Sequence, residues 1–183
     1  MNYSEIKTCD IANGPGVRTS IFVSGCRNRC PECFNSETWD FNAGKLFTDD
    51  TVNYILETMK PNYVDGLSIL GGEPLEPENQ WTILQLIHKV KHDYPNKTIW
   101  LWTGFTWYDI FDNVDCRANT KTSHYVVLHT DVLVDGPFEL DKKDLMLRFR
   151  GSSNQRIIDV KQSSEKGEVV IWHDDPLFEK HEW

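Results

Sequence analysis

Three of the chain's five cysteines fall in Ser24-Gly25-Cys26-Arg27-Asn28-Arg29-Cys30-Pro31-Glu32-Cys33, with three residues between the first pair and two between the second. Arg, Asn, Pro and Glu separate them, so their sulfurs project from a polar loop rather than from the apolar run that usually surrounds a structural cysteine. Thiolates at this spacing can wrap one small inorganic centre. Iron–sulfur clusters are held by such ligands, normally four, and a 4Fe-4S cube held by three keeps one iron without a protein donor. The alternative is a Cys3His structural zinc site, but none of the six histidines lies near the loop. Spacing alone favours the cluster.

A second candidate is Gly71-Gly72-Glu73-Pro74. Adjacent glycines let a small ligand reach the backbone directly, and Glu73 can meet a positive group. Taken alone, the pair also reads as a plain turn between strand and helix. Cys9 and Cys116 are too few for a second four-cysteine cluster and read as incidental thiols.

The elements that must position these residues follow from apolar spacing. Thr19 to Val23 reads as a buried strand that delivers the cysteine loop, residues 24–35, at its end. Thr48 is a candidate N-cap, with Asp49 and Asp50 in the first turn. Val52, Ile55, Leu56 and Met59 follow at helical spacing, and Pro61 closes the helix. Leu67 to Leu70 forms a second strand running into the diglycine, a helix spans about Glu78 to Tyr94, and Ile99 to Trp102 forms a third strand ending at Thr103-Gly104. A short helix is expected around Trp107 to Phe111, and residues 112 to 124 read as a surface loop. Tyr125 to Leu128, Val132 to Val134, Ile157 to Val160 and Val169 to Trp172 are expected strands, the last two joined in hairpin fashion by Gln162 to Gly167. Residues 1 to 19 are polar and contain the turn Asn13-Gly14-Pro15-Gly16, closely followed by Arg18, while Arg148 to Arg156 is basic and turn-rich. Strands alternating with helices imply parallel pairing through right-handed crossovers. The loops leaving the C-terminal strand ends then converge: the cysteine loop, Gly71-Gly72-Glu73, Thr103-Gly104 and Asp135.

At 183 residues the chain suits one domain, and its 39% hydrophobic residues and seven tryptophans supply a core. A net charge of -9 argues against a nucleic-acid backbone or an anionic membrane as partner. No apolar run is long enough to span a bilayer, and the N-terminus lacks a signal-peptide pattern, so a cytoplasmic location is expected. Thiols stay reduced there, and clustered cysteines read as metal ligands rather than disulfides.

Cys26-x3-Cys30-x2-Cys33 followed by a strand-end Gly71-Gly72-Glu73-Pro74 resembles the radical S-adenosylmethionine enzymes. More narrowly, residues 13–18, 22–26, 38–44, 132–138 and 150–155 resemble the activating proteins of anaerobic ribonucleoside-triphosphate reductase, with a match from about residue 8 to about 160. The resemblance implies an α/β fold, a partial (β/α) barrel whose mainly parallel sheet has helices outside and an open side. It implies one [4Fe-4S] cluster on Cys26, Cys30 and Cys33, with the fourth iron chelated by the amino and carboxylate groups of S-adenosyl-L-methionine. Gly71, Gly72 and Glu73 would face the methionine amino group, and Thr103 and Asp135 would line the rest of the pocket. Many such enzymes carry an aromatic residue just before the third cysteine, where this chain has Glu32; either Phe34, just after Cys33, meets the adenine or backbone atoms hold it. The implied reaction is reductive cleavage of the sulfonium to a 5'-deoxyadenosyl radical, which leaves a glycyl radical on the reductase. It requires a low-potential electron donor, and the 14–16 turn and the Arg148–Arg156 stretch become candidate docking elements. A variant acting on another glycyl-radical enzyme such as pyruvate formate-lyase, a one-cluster electron carrier and a zinc-stabilised binding module are the alternatives. The extension from about residue 161 lies past the match.

Overall fold

Period-two alternation decides which side of a sheet each strand residue faces, and here the two sides have different tasks. The computed structural model describes residues 1–173. Within them lie the strands β1 (Asn2–Asp10), β2 (Val17–Val23), β3 (Lys45–Leu46), β4 (Val64–Gly71), β5 (Thr98–Trp102), β6 (Val132–Asp135) and β7 (Arg156–Asp159). The helices are α1 (Asp49–Met59), α2 (Pro77–Asp93), α3 (Trp107–Phe111), α4 (Lys121–Leu128) and α5 (Val160–Lys166). The strands form one open sheet in the order β3-β1-β2-β4-β5-β6-β7. Its centre, β2-β4-β5-β6, is parallel as expected, whereas β1, β3 and β7 pair antiparallel at the margins.

Ile21, Val23, Leu67, Ile69, Ile99, Leu101 and Leu133 belong to the main core with Ile55 and Met59 of α1, Ile83, Ile87 and Val90 of α2, and Val126 and Val127 of α4. The alternate residues point to the other face. There Trp100, Val132 and Val134 make a smaller cluster with Trp102, Phe149, Ile157 and Trp172. Phe22, Leu70 and Trp102, last on that face, run into a cavity at the C-terminal strand ends.

Arg18 is fully buried on this second face. Its Nε donates to Ser68 Oγ at 2.7 Å, Nη2 to the carbonyls of Leu67 at 2.9 Å and Thr98 at 3.0 Å, and Nη1 to Thr98 Oγ1 at 3.0 Å. Burial pulls its pKa down to about 10, against the pull of Asp65, Asp131 and Asp10. The glycine turn closes over it. Gly14 has φ +109°, and a Cβ there would sit 2.9 Å from Arg18 Cδ, so the turn's composition is set by packing on a buried arginine.

Several elements differ from expectation. Residues 2–10, polar in sequence, form the antiparallel strand β1, whose Tyr3 and Ile6 pack against the core while its exposed positions carry the polar residues. Tyr125 to Leu128 is helical because Thr120 caps α4: Ser123 N donates to Thr120 Oγ1 at 3.1 Å, and Ser123, Val126 and Val127 then bury one helical face. The expected loop therefore stops at residue 120. The segment between Ile158 and Ile171 is helix α5, not a turn, because Asp159 Oδ1 accepts from Gln162 N at 2.8 Å and caps it. Ile158 and Ile171 still meet in an isolated antiparallel bridge. The end of the extension, with Trp183, lies outside the described residues. Removing the buried cation is the sharpest test of this face. Arg18→Met, which leaves the Thr98 carbonyl and Ser68 hydroxyl without their donor, is expected to lower unfolding free energy by about 3 kcal/mol in urea titration. A loss below about 1 kcal/mol would show that Arg18 is not a strut of the sheet.

Candidate functional site

Parallel register brings the site together. Val23 lies opposite Gly71 and Trp102 opposite Val134, so the cysteine loop, the diglycine and Thr103 leave the same edge. Gly72 N donates to Val23 O at 2.7 Å and Glu73 N to Gly25 O at 2.8 Å. A Cβ on Gly72 would stand 2.8 Å from Gly25 O and 3.0 Å from Thr38 O. The second glycine thus seats the base of the cysteine loop, and its amide is already used; the expectation that it opens the backbone to a ligand is replaced by this closer packing. On the other side Gly25 N donates to Thr38 O at 2.7 Å and Cys26 N to Trp39 O at 3.1 Å, so the loop's base is clamped between β4 and residues 38–39.

Above this clamp Cys26, Cys30 and Cys33 line one cavity of about 490 Å³ with Phe34, Gly71, Gly72, Glu73 and Thr103. The loop backbone turns through left-handed angles at Arg29 (φ 46°) and Glu32 (φ 52°). The backbone amides of Asn28 and Arg29 act to lower the Cys26 pKa and the Phe138 amide that of Cys30, an influence that suits thiolates. In the free protein burial, and then the Glu73 charge, pushes the Cys26 thiol up to about 11; burial likewise raises Cys30. Metal coordination reverses that preference, because it deprotonates a thiol outright. Among the described residues no histidine lines this cavity, and no three His, Cys, Asp or Glu side chains converge on a point that would hold one ion. Three thiols lining one cavity are the donors by which an iron–sulfur cluster is held.

Two buried glutamates, three residues apart, have opposite surroundings. Glu76 is bonded by Arg27 Nη1 at 2.7 Å and by Arg117 Nη2 and Nε at 3.1 Å. Glu73 has only neutral donors: Gly104 N at 2.7 Å, Thr103 Oγ1 at 2.8 Å, Leu75 N at 2.9 Å and Asn28 Nδ2 at 3.3 Å. Burial pushes the Glu73 carboxyl up to about 7 despite these bonds. Near neutral pH it is poised between its protonated and charged forms at the cavity wall. Asn28 joins the two systems, since its Oδ1 accepts from Arg117 while its Nδ2 reaches Glu73.

Not every expected residue reaches the cavity. Glu32 is exposed on the outer side of the loop, and Asp135 is buried with its carboxylate held by Arg156 Nε at 3.0 Å and Trp107 N at 2.8 Å; neither lines it. Thr103 does, with its hydroxyl committed to Glu73. Phe34 lines it while remaining 62% exposed, edge-on to Phe138 at 5.8 Å. Of the basic stretch, Arg150 bonds Gln155 O at 2.8 Å and Arg156 bonds Asp135, so these two arginines have partners within the chain. Asn28, Trp39, Phe138 and Phe149 line the cavity unforeseen. Asn28 is signalled by its place between two cysteines, Trp39 and Phe138 by the stretches 38–44 and 132–138, and Phe149 by the basic stretch Arg148–Arg156, none of which by itself indicates a cavity wall.

The family described as "4Fe-4S single cluster domain" matches residues 12–158. A protein of Enterobacteria phage T4 named anaerobic ribonucleoside-triphosphate reductase-activating protein is 40% identical over 157 residues, covering 86% of this chain and 93% of its own. Proteins of the same name from Pasteurella multocida (strain Pm70), 40% identical over 159 residues (86% and 96%), and Escherichia coli (strain K12), 41% over 157 residues (85% and 96%), are similarly related. Match and identity span the cysteine loop, the diglycine and the strand edge that joins them, and the chain therefore belongs to the single-cluster 4Fe-4S family and to the anaerobic ribonucleoside-triphosphate reductase-activating proteins.

Proposed function

We propose that this chain is a radical S-adenosylmethionine enzyme that installs a glycyl radical on an anaerobic ribonucleoside-triphosphate reductase. The observation that carries the reading is one cavity lined by three thiols and a buried carboxylate with no cation of its own. Cys26, Cys30 and Cys33 would hold the [4Fe-4S] cluster, and Gly71, Gly72 and Glu73, which line the same cavity, would meet the cofactor bound beside it. Bound there and reduced by a low-potential donor, the cluster supplies the electron that splits S-adenosylmethionine into methionine and a 5'-deoxyadenosyl radical, which takes a hydrogen atom from a glycine α-carbon of the reductase. Glu73 accepts from the methionine amino group, and Thr103 Oγ1 and Gly104 N hold the Glu73 carboxylate in place. Phe34, Phe138 and Phe149 give the cavity apolar walls for the rest of the nucleoside and limit water. The open sheet is read as the partial (β/α) barrel of such enzymes, with residues 1–183 as one domain acting in the cytoplasm.

Anaerobic reconstitution with iron and sulfide tests the reading. The brown protein, reduced and given S-adenosylmethionine, is expected to yield methionine and 5'-deoxyadenosine, and with the reductase a glycyl doublet by electron paramagnetic resonance. Cys30→Ala should lose cluster and cleavage together, while Cys116→Ala keeps both near their original levels. Cleavage that survives Cys30→Ala, or a colourless protein retaining zinc, would overturn the assignment. A pH series probes Glu73. Its carboxylate form, which accepts from the amino group, grows as pH rises through about 7, so affinity for S-adenosylmethionine should climb through that range and level off above it. Glu73→Gln should weaken binding about tenfold or more at high pH and remove the pH dependence, as read by equilibrium dialysis. An unchanged affinity would place the amino group elsewhere.

A further inference from the structure

Among the described residues four buried side-chain polar atoms lack a protein partner: Ser24 Oγ, Trp39 Nε1, Asn79 Oδ1 and Asn154 Oδ1. Three of them are oxygens that accept, and a hydroxyl can also turn its proton. Trp39 Nε1 is different: an indole nitrogen is a donor only, and its hydrogen is fixed in the ring plane. A buried donor of this kind calls for an acceptor.

The position of Trp39 indicates which acceptor. Trp39 lines the cavity that Cys26, Cys30 and Cys33 share, and its carbonyl accepts from Cys26 N at 3.1 Å, which ties it to the first of the three cysteines. It also borders a second cavity of about 680 Å³ on the far side of the loop, again with Cys26 and with Arg27. Trp102 provides an internal comparison. It lines the same thiol cavity, yet its Nε1 donates to Phe149 O at 2.7 Å, so its demand is met within the chain. Of the two indoles at the cavity, one is satisfied by protein and the other is not.

We propose that Trp39 Nε1–H donates to a sulfur of the iron–sulfur group, making Trp39 a positioning residue that sets the group's reduction potential. The inference rests on the cluster reading above. A donor aimed at a sulfur stabilises the more negative, reduced form, so the potential rises when the bond is present and falls when it is lost. The consequence is functional: a single electron must enter the cluster before any cofactor is cleaved, and Trp39 eases its entry without touching the partner.

The test is a redox titration of the reconstituted protein without S-adenosylmethionine, followed by the reduced cluster's paramagnetic signal. Trp39→Phe keeps an aromatic ring and removes the donor. It is expected to lower the ratio of reduced to oxidised cluster about tenfold at a fixed poise, equivalent to about 59 mV for one electron. Trp81→Phe, exposed on α2, should leave the midpoint where it was. A second measurement uses the unaltered sequence with the heavy nitrogen isotope in its indoles: pulsed resonance of the reduced cluster should show coupling to one indole nitrogen, and Trp39→Phe should remove it. If Trp39→Phe does not fold, the coupling in the unaltered protein decides by itself. An unchanged midpoint, or no indole coupling, overturns the inference and assigns the N–H to solvent or to the cofactor. Failure of the unaltered protein to take up a cluster would overturn the functional reading, and this inference with it.

Discussion

Everything in this molecule depends on how the ends of β2 and β4 meet. Two short backbone hydrogen bonds, Gly72 N to Val23 O at 2.7 Å and Glu73 N to Gly25 O at 2.8 Å, fasten the cysteine loop to the diglycine. They form only because no side chain stands between Gly72 and the carbonyls of Gly25 and Thr38. The three thiols and Glu73 are 40 to 47 residues apart in the chain, and this contact turns them into one cavity wall. The buried Arg18 has a related task on the same face, bridging β2, β4 and β5 through Ser68, Leu67 and Thr98 so that the strands keep their order as the sheet approaches the site.

Charge is distributed to leave one demand open. Glu76 is saturated by two arginines, which also stack on aromatic rings: Arg27 lies 4.4 Å from the centre of Phe41, and Arg117 lies 4.6 Å from that of Phe105. Glu73, one turn away, has neutral donors alone and pays for burial with a raised pKa. Asn28 sits between them inside the cysteine loop, so the loop that carries the thiols also orients the carboxylate.

The parallel centre of the fold was legible because each of its strands is a short apolar run bounded by turn residues, and α1 and α2 repeat at helical spacing. The rest was hidden for identifiable reasons. β1 shows only a partly buried face and reads as polar, and α4 is a short helix of β-branched residues that reads as a strand until Thr120 and Ser123 are seen capping it. In the site, Cys26, Cys30, Cys33, Glu73 and Thr103 were legible because they sit within contiguous motifs at strand ends. Asp135 was placed correctly on the edge but not oriented: β7 runs antiparallel beside it, and Arg156 claims its carboxylate. Arg117 reaches the site only through tertiary packing, which no local pattern records, and the stretch 38–44 marks Trp39 without showing that it meets the cysteine loop.

The central claim is that the three cysteines leave one metal corner for S-adenosylmethionine. Mössbauer spectra of protein reconstituted with the active iron isotope, taken with and without S-adenosylmethionine, test it most directly. A single iron site should change its isomer shift on addition of the cofactor while the remaining irons keep theirs. Four iron sites that stay unchanged with saturating cofactor would mean that every corner already has a ligand, and would contradict the account.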